Sequence, residues 1–278
     1  MADTKQRVVL ITGCSTGIGR ALAVEMRRRG QRVFATARKP ETLAELEDEL
    51  LTALPLDVTD PESIAAAVAQ VTERAGRIDV LINNAGVNAA GPLAELPLQS
   101  FRRIMETNVT GTLAMVQAVV PHMAQQRAGR IVNLGSVVGI LPTPFAGAYC
   151  ASKSAVHTLS EALRMEVAPF GIDVLVLQPG GVRSSIADTA GRDIARFASD
   201  SLYSAVFSGI EKRTRASQED PMETDAFARE VADAVLGARV PRRMRLGTGA
   251  RLLPTLAHLP GRVRDVALSR RFDLHKLR

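Results

Sequence analysis

The chain of 278 residues is 46% hydrophobic and 23% charged, enough apolar material for one large domain with a substantial core. No apolar run reaches the ~18 residues of a membrane-spanning helix. The polar start Met1–Arg7 lacks a secretory segment, and two cysteines (Cys14, Cys150) with four scattered histidines lack metal-ligand or disulfide spacing. No metal and a reducing, cytoplasmic setting are therefore expected.

The net charge of +6 is unevenly spread. Residues 239–278 carry eleven Lys/Arg against two Asp/Glu, and the remainder carries 24 against 27. Basicity belongs to the tail, and 4% aromatics without Trp leave little to stack on bases, so no nucleic-acid partner is expected.

Arg7–Thr12 reads as a short strand, followed by Gly13-Cys14-Ser15-Thr16-Gly17-Ile18-Gly19 and a helix pattern to Arg29 closed by Gly30. Strand, glycine turn and helix together are the context in which such spacing builds a phosphate site. Gly13 permits the tight turn, Gly17 lets backbone N–H groups approach a pyrophosphate, and Gly19 lets helix and strand pack closely. The helix N-terminus then faces the anion. Arg32–Ala37 is a second strand. An acid after it would accept the ribose hydroxyls of NAD; Arg38 and Lys39 stand there instead and suit the 2′-phosphate of NADP.

Glu41–Leu51 reads as a helix and Ala53–Leu56 as a third strand leading to Asp57-Val58. Asp60-Pro61-Glu62-Ser63 starts a helix to Ala75 closed by Gly76, and Val80–Ile82 is a fourth strand running into Asn83-Asn84-Ala85-Gly86. This alternation predicts an α/β fold. It is a single Rossmann-type doubly wound parallel sheet of about seven strands, with helices on both faces. Ligands collect at the carboxyl ends of such strands, where Gly13–Gly19, Arg38, Asp57, Asn84 and Ser136 all fall.

A long helix is expected from about Gln99 to Gln126, interrupted at Thr107-Asn108-Val109-Thr110-Gly111, whose residue types cost helix stability. Ile131–Gly135 is a strand ending in the Ser136 hydroxyl, and an apolar loop from Val137 to Gly147 leads into a helix over Ala148–Ala168. On that helix Tyr149 and Lys153 lie four residues apart and share a face. A free tyrosine titrates near ~10, and a cation beside it favours the phenolate and brings it toward the working range. Ile172–Leu177, ending at Gln178-Pro179-Gly180-Gly181, is a strand, Asp225–Leu236 a helix and Met244–Leu246 a last strand. Residues 182–222 show poor periodicity and read as a mobile substrate lid. The basic segment 249–278 mixes Leu, Val and Phe with Arg. It could lie on an anionic membrane surface, but packing on the domain or on a second subunit is the favoured expectation.

Thr12-Gly13-x-x-x-Gly17-Ile18-Gly19, Asp57-Val58, Asn83-Asn84-Ala85-Gly86, Asn108, Ser136, Tyr149-x-x-x-Lys153 and Pro179-Gly180 occur in this order over residues 7–184. In these motifs the chain resembles the short-chain dehydrogenase/reductase family. Gly13-Cys14-Ser15, Ala35–Pro40 and Tyr149–Lys153 are similar to its branch of hydroxysteroid and retinol dehydrogenases and bacterial carbonyl reductases.

The resemblance implies that Tyr149 is the proton donor and acceptor. Lys153 would hold the nicotinamide ribose and lower the phenol pKa, and Ser136 would hydrogen-bond the substrate oxygen. Asn108 would hold a water that relays protons past Lys153. It lays the cofactor along Gly13, Ser15, Thr16, Gly17, Ile18 and Gly19, with Asp57 and Val58 at the adenine. Asn84, Ala85, Gly86, Pro179, Gly180 and Val182 follow farther along. Ser184 stands where the family usually has threonine, and keeps the hydroxyl that meets the nicotinamide carboxamide. It also implies a homodimer or homotetramer.

The expected reaction is hydride transfer between NADP(H) and a carbonyl or secondary-alcohol carbon. Val138, Leu141, Phe145, Phe197 and Phe207 suggest an apolar wall beside Ser136 and Tyr149, hence a steroid-, retinoid- or aryl-ketone-like substrate. A 3-oxoacyl-thioester reductase and a non-catalytic NADP-binding interaction protein are the alternative readings.

Overall fold

Short runs of alternating register give strands whose odd and even side chains face opposite sides, and both sides are covered. In the computed structural model, which describes residues 6–184, 186, 191 and 194–277, seven strands form one parallel sheet. They are β1 (Val8–Ile11), β2 (Arg32–Ala37), β3 (Leu51–Pro55), β4 (Val80–Asn83), β5 (Gly129–Leu134), β6 (Ile172–Pro179) and β7 (Arg243–Leu246). Their order is β3-β2-β1-β4-β5-β6-β7, every pairing parallel. Val9, Ile11, Val33 and Ile82 pack against α1 (Gly17–Arg28) and α7 (Thr224–Leu236). Val8, Leu10, Phe34 and Leu81 pack on the other face against α2 (Pro61–Ala75) and α4 (Gly111–Gln126). The Asp60 side chain accepts from Glu62 N at the start of α2, and Gly76 ends it with φ 71°.

Three expectations change. The helix expected over 41–51 is a 3₁₀ turn, Pro40–Leu46, and β3 already begins at Leu51. The Asp48 carboxylate accepts from Leu50 N and Leu51 N and turns the chain into the strand. The break foreseen within 99–126 is a π-helical turn, Glu106–Thr110, between α3 (Leu98–Met105) and α4. Such turns add a residue to the helical ladder and re-aim side chains. At its end Gly111 has no room for a side chain, since a Cβ would stand 2.8 Å from both Val58 Cγ2 and Val58 O.

The third change concerns 182–222, which is more ordered than its weak periodicity suggests. It contains 3₁₀ turns at Ile194–Phe197 and Ser204–Val206 and a helix, α6 (Phe207–Arg215). Residues 185, 187–190, 192 and 193 of the expected lid lie outside the described residues. Phe197, Val206 and Ile210 join Phe145 and Phe272 in a third hydrophobic cluster. The basic tail supplies Phe272 to this cluster. Leu268 of α8 (Gly261–Arg271), a helix with no fully buried residue, and Leu274 pack against the same cluster. Next to it the Asp273 carboxylate accepts from Ser208 Oγ at 3.0 Å and Lys212 Nζ at 2.7 Å. No described helix is long and apolar enough to cross a membrane.

Candidate active site

The glycine turn leaves β1 with Gly13 at φ 72° and Gly17 at φ 60°, a region where a side chain is strained. A Cβ on Gly19 would come within 2.3 Å of Asn84 Nδ2 and 2.4 Å of Gly13 O. Gly19 therefore makes room for Asn84 as much as for helix–strand packing. Asn84 Nδ2 donates to Thr12 O and Gly13 O, both at 2.9 Å, while Thr12 Oγ1 accepts from Asn84 N and Ala85 N. The Asn84-Ala85-Gly86 segment thus braces the turn from the neighbouring strand. Ser15 and Thr16 are exposed on the turn, and Ile18 packs against the core.

Arg38 and Lys39 follow β2 and are exposed. Burial alone would raise the Asp57 carboxyl. Hydrogen bonds from Thr59 N and Oγ1, with the Arg38 charge, outweigh that and hold it below the ordinary range. Val58 is buried against Gly111. At the end of β6, Gly181 and Thr248 exchange backbone hydrogen bonds beside Pro179 and Gly180. Ser184 N donates to Gln218 Oε1, and Gln218 Nε2 donates to the buried Val182 O.

Helix α5 (Gly147–Val167) carries Tyr149 and brings Lys153 and His157 to the carboxyl end of β5, at Leu134 and Ser136. Lys153 Nζ stands 5.5 Å from the Tyr149 ring centroid and donates to Leu134 O at 2.6 Å. Burial pulls the ammonium down to about 8. The expected lowering of the phenol by Lys153 is not what this packing produces. Part of the Tyr149 side chain stays accessible, yet desolvation pushes its hydroxyl above the ordinary tyrosine value. The charge that opposes this is the Arg213 guanidinium. The Tyr149 hydroxyl makes no hydrogen bond to any described residue.

Ser136 Oγ points to Pro179 O at 3.3 Å and accepts from Val138 N at 3.3 Å. Asn108, 1% exposed, spends its side chain within the protein: Nδ2 donates to Val87 O and Ser152 Oγ, and Oδ1 accepts from Val87 N. Both amide hydrogens that a relay water could accept are therefore used. Of the expected apolar wall, Leu141, Phe145 and Phe197 are sealed. Phe145 and Phe197 pack into the third cluster rather than facing open space, while Val138 and Phe207 keep partial exposure.

Two residues of this neighbourhood escaped sequence reasoning. His157 lies one turn beyond Lys153 on the same helical face, so its spacing was a usable signal. Its Nε2 accepts from Ser136 N at 3.2 Å, and a Cβ on Gly135 would stand 2.1 Å from that nitrogen. Burial, reinforced by the Lys153 charge, pulls the imidazole down to about 4. Arg213, on α6, is 8% exposed and donates through Nε to Thr143 Oγ1 at 2.8 Å. No periodicity marked it, because it arrives from the lid.

A doubly wound parallel sheet whose positive-φ glycine turn feeds a helix N-terminus is a dinucleotide-binding framework, and here a tyrosine–lysine helix lies along its open end. The sequence profile of the short chain dehydrogenase family matches residues 7–195. The human 17-beta-hydroxysteroid dehydrogenase type 1 is 39% identical over 193 residues, 65% of this chain and 58% of that one. The 3-ketodihydrosphingosine reductase of Bacteroides thetaiotaomicron is 39% identical over 183 residues, 66% of each chain. The crystal structure of a short-chain dehydrogenase from Streptomyces avermitilis superposes with a TM-score of 0.79 at 31% identity, covering 98% of both chains. The chain belongs to the short-chain dehydrogenase/reductase family and resembles its hydroxysteroid dehydrogenase members. It is an oxidoreductase of a family that uses a nicotinamide cofactor, NAD or NADP.

Proposed function

We propose that the protein is an NADP(H)-dependent carbonyl reductase that converts apolar ketones to secondary alcohols. The observation that carries this reading is the Tyr149 hydroxyl. It is desolvated and unspent on any described residue, beside Lys153. A phenol, protonated at neutral pH, can give a proton to a developing alkoxide and take it back in the reverse reaction. The cofactor, when bound, supplies the hydride.

In this reading Ser136 orients the carbonyl oxygen with an O–H donor as charge builds on it, and Tyr149 delivers its proton to that oxygen. Lys153, with its ammonium near 8, can restore the proton from solvent close to neutral pH. Asn108 is a positioning residue that ties the Val87 backbone to α5 through Ser152. The glycine turn, the Asn84 brace and α1 suit the pyrophosphate, and exposed Arg38 with Lys39 suits the 2′-phosphate. The segment 182–222 serves as the lid, with residues 249–278 as its basic support. Exposed Leu98, Phe101 and Leu113 on α3 and α4, and Met165 and Phe170 around the end of α5, suit a subunit interface.

The test is Tyr149→Phe: cofactor binding, read by quenching or energy transfer at the nicotinamide, is expected to persist while ketone reduction falls by at least ~10³-fold. Retained turnover would remove the mechanism.

A further inference from the structure

A buried guanidinium without a carboxylate is uncommon in a folded protein, because leaving water costs more than neutral contacts return. Arg213 is in that position. It is 8% exposed, and no acid among the described residues lies within ion-pairing distance. Its hydrogen bond is from Nε to the Thr143 hydroxyl, and the Cys150 thiol is its other side-chain partner. The sealed side-chain atoms without partners among the described residues are Asn83 Oδ1 and Asn88 Oδ1. At least one Nη has no such partner and is not among them, so it borders accessible space rather than packed interior.

That space adjoins the helix that carries Tyr149. Thr143 Oγ1 lies 4.0 Å from Cys150 Sγ, and Cys150 is the residue next to Tyr149 on α5. The loop from Leu141 to Phe145 that carries Thr143 leads directly into this helix, and α6 holds Arg213 over it from the lid side. Tyr149 and Arg213 act on each other's charge in both directions. The phosphate-binding end of the cleft, at Gly13–Gly19 and Arg38, belongs to other elements. A structural tie to Thr143 would need one donor, not a fork of five.

We propose that Arg213 is the anchor for a carboxylate on the substrate, so that the natural substrate is an apolar oxo acid rather than a neutral ketone. This rests on the hydride-transfer reading of the same site and narrows its substrate class. The planar fork of the guanidinium matches a carboxylate with two parallel N–H donors. Desolvated surroundings strengthen such a pair and penalise a neutral group in its place. The carboxylate takes no part in the bond changes; it sets which carbonyl reaches Tyr149 and Ser136.

The experiment compares positional isomers of oxodecanoate, each against its methyl ester, with NADPH and the full chain. The wild type is expected to favour at least one acid over its ester in kcat/KM by about 100-fold. Arg213→Gln and Arg213→Met should collapse that ratio to within a few-fold, through KM for the acid, with Arg213→Lys in between. In parallel, decanoate should raise the melting temperature of the NADPH complex more than decanamide does, and this difference should vanish in Arg213→Gln. A wild-type ratio near one for every isomer, with no melting difference between decanoate and decanamide, would overturn the proposal. So would equal losses for acid and ester in the variants, or a shifted pH profile common to both, which would mark a structural or phenol-tuning role. Failure of the wild type to reduce any carbonyl would refute the hydride-transfer reading, and the decanoate measurement would still judge the anion site on its own.

Discussion

Around Ser136 a histidine controls a backbone rather than a substrate. His157 Nε2 accepts from Ser136 N in its neutral form, and protonation would replace that acceptor with a donor facing another donor. His157→Leu removes the acceptor and leaves a buried N–H unpaired, at about 1–3 kcal/mol. We expect kcat to fall roughly 10–100-fold as Ser136 loses its position.

The pH dependence has a definite sign. The unfolded histidine binds a proton near ~6.5, whereas the folded one, desolvated and facing Lys153, Arg245 and Arg243 against Glu161 alone, resists until about 4. Its contribution is intact above ~6.5 and is lost as pH falls toward 4. Urea unfolding across that window should show a steeper acid loss in the wild type than in His157→Leu; parallel curves would refute the linkage. At the other end of the cleft, Arg38→Asp should lower the NADPH-over-NADH ratio of kcat/KM by roughly 10–100-fold. An unchanged ratio would assign the phosphate to other residues.

Among the elements, α6 is held from two directions. Its apolar side meets Phe145 and Phe197, whose approach requires Gly91: a Cβ there would stand 2.6 Å from the Phe197 ring. Phe145 itself sits at φ 61°, a strained conformation for an aromatic residue, and meets Tyr203 edge-on at 6.0 Å. From the far side Phe272 closes the cluster, and its carbonyl lies 2.0 Å from where a Gly209 Cβ would be. Phe272 therefore supports α6. Phe272→Ala should cost about 3 kcal/mol, felt locally because the cluster is separate from the two sheet cores. Hydrogen exchange should accelerate in residues 204–215 while the sheet keeps its protection. Uniform acceleration would show that lid and sheet open together.

For the whole molecule, the two sheet cores account for most buried apolar residues, yet α3, α4 and the end of α5 expose Leu98 (69%), Met165 (62%) and Phe170 (40%). A stable subunit contact buries about 1,600 Å² in total, and apolar residues on these long helices are suited to its centre. Sedimentation equilibrium should give a dimer or tetramer, and Phe101→Glu with Met165→Glu should dissociate it. A wild-type monomer at micromolar concentration would refute the assignment.

The parallel sheet, the glycine turn, the Tyr149–Lys153 face and the break at Asn108 were legible in the chain because each is local. Strand alternation, positive-φ glycines and the spacing of four residues are properties of neighbouring positions. Tertiary structure alone decided what arrives from a distance. It set Asn84 across the glycine turn, Arg213 against Thr143 and Phe272 against α6. Each is a contact between residues more than sixty positions apart, and no local propensity encodes such a pairing. The same holds for charge: spacing put an ammonium beside a phenol, but desolvation raises that phenol above its ordinary value, and the opposing charge is the distant Arg213. Pairing two residues on one helix costs little chain entropy. Burying them takes segments from several parts of the chain, and which segments come together is settled only by the packing of the whole.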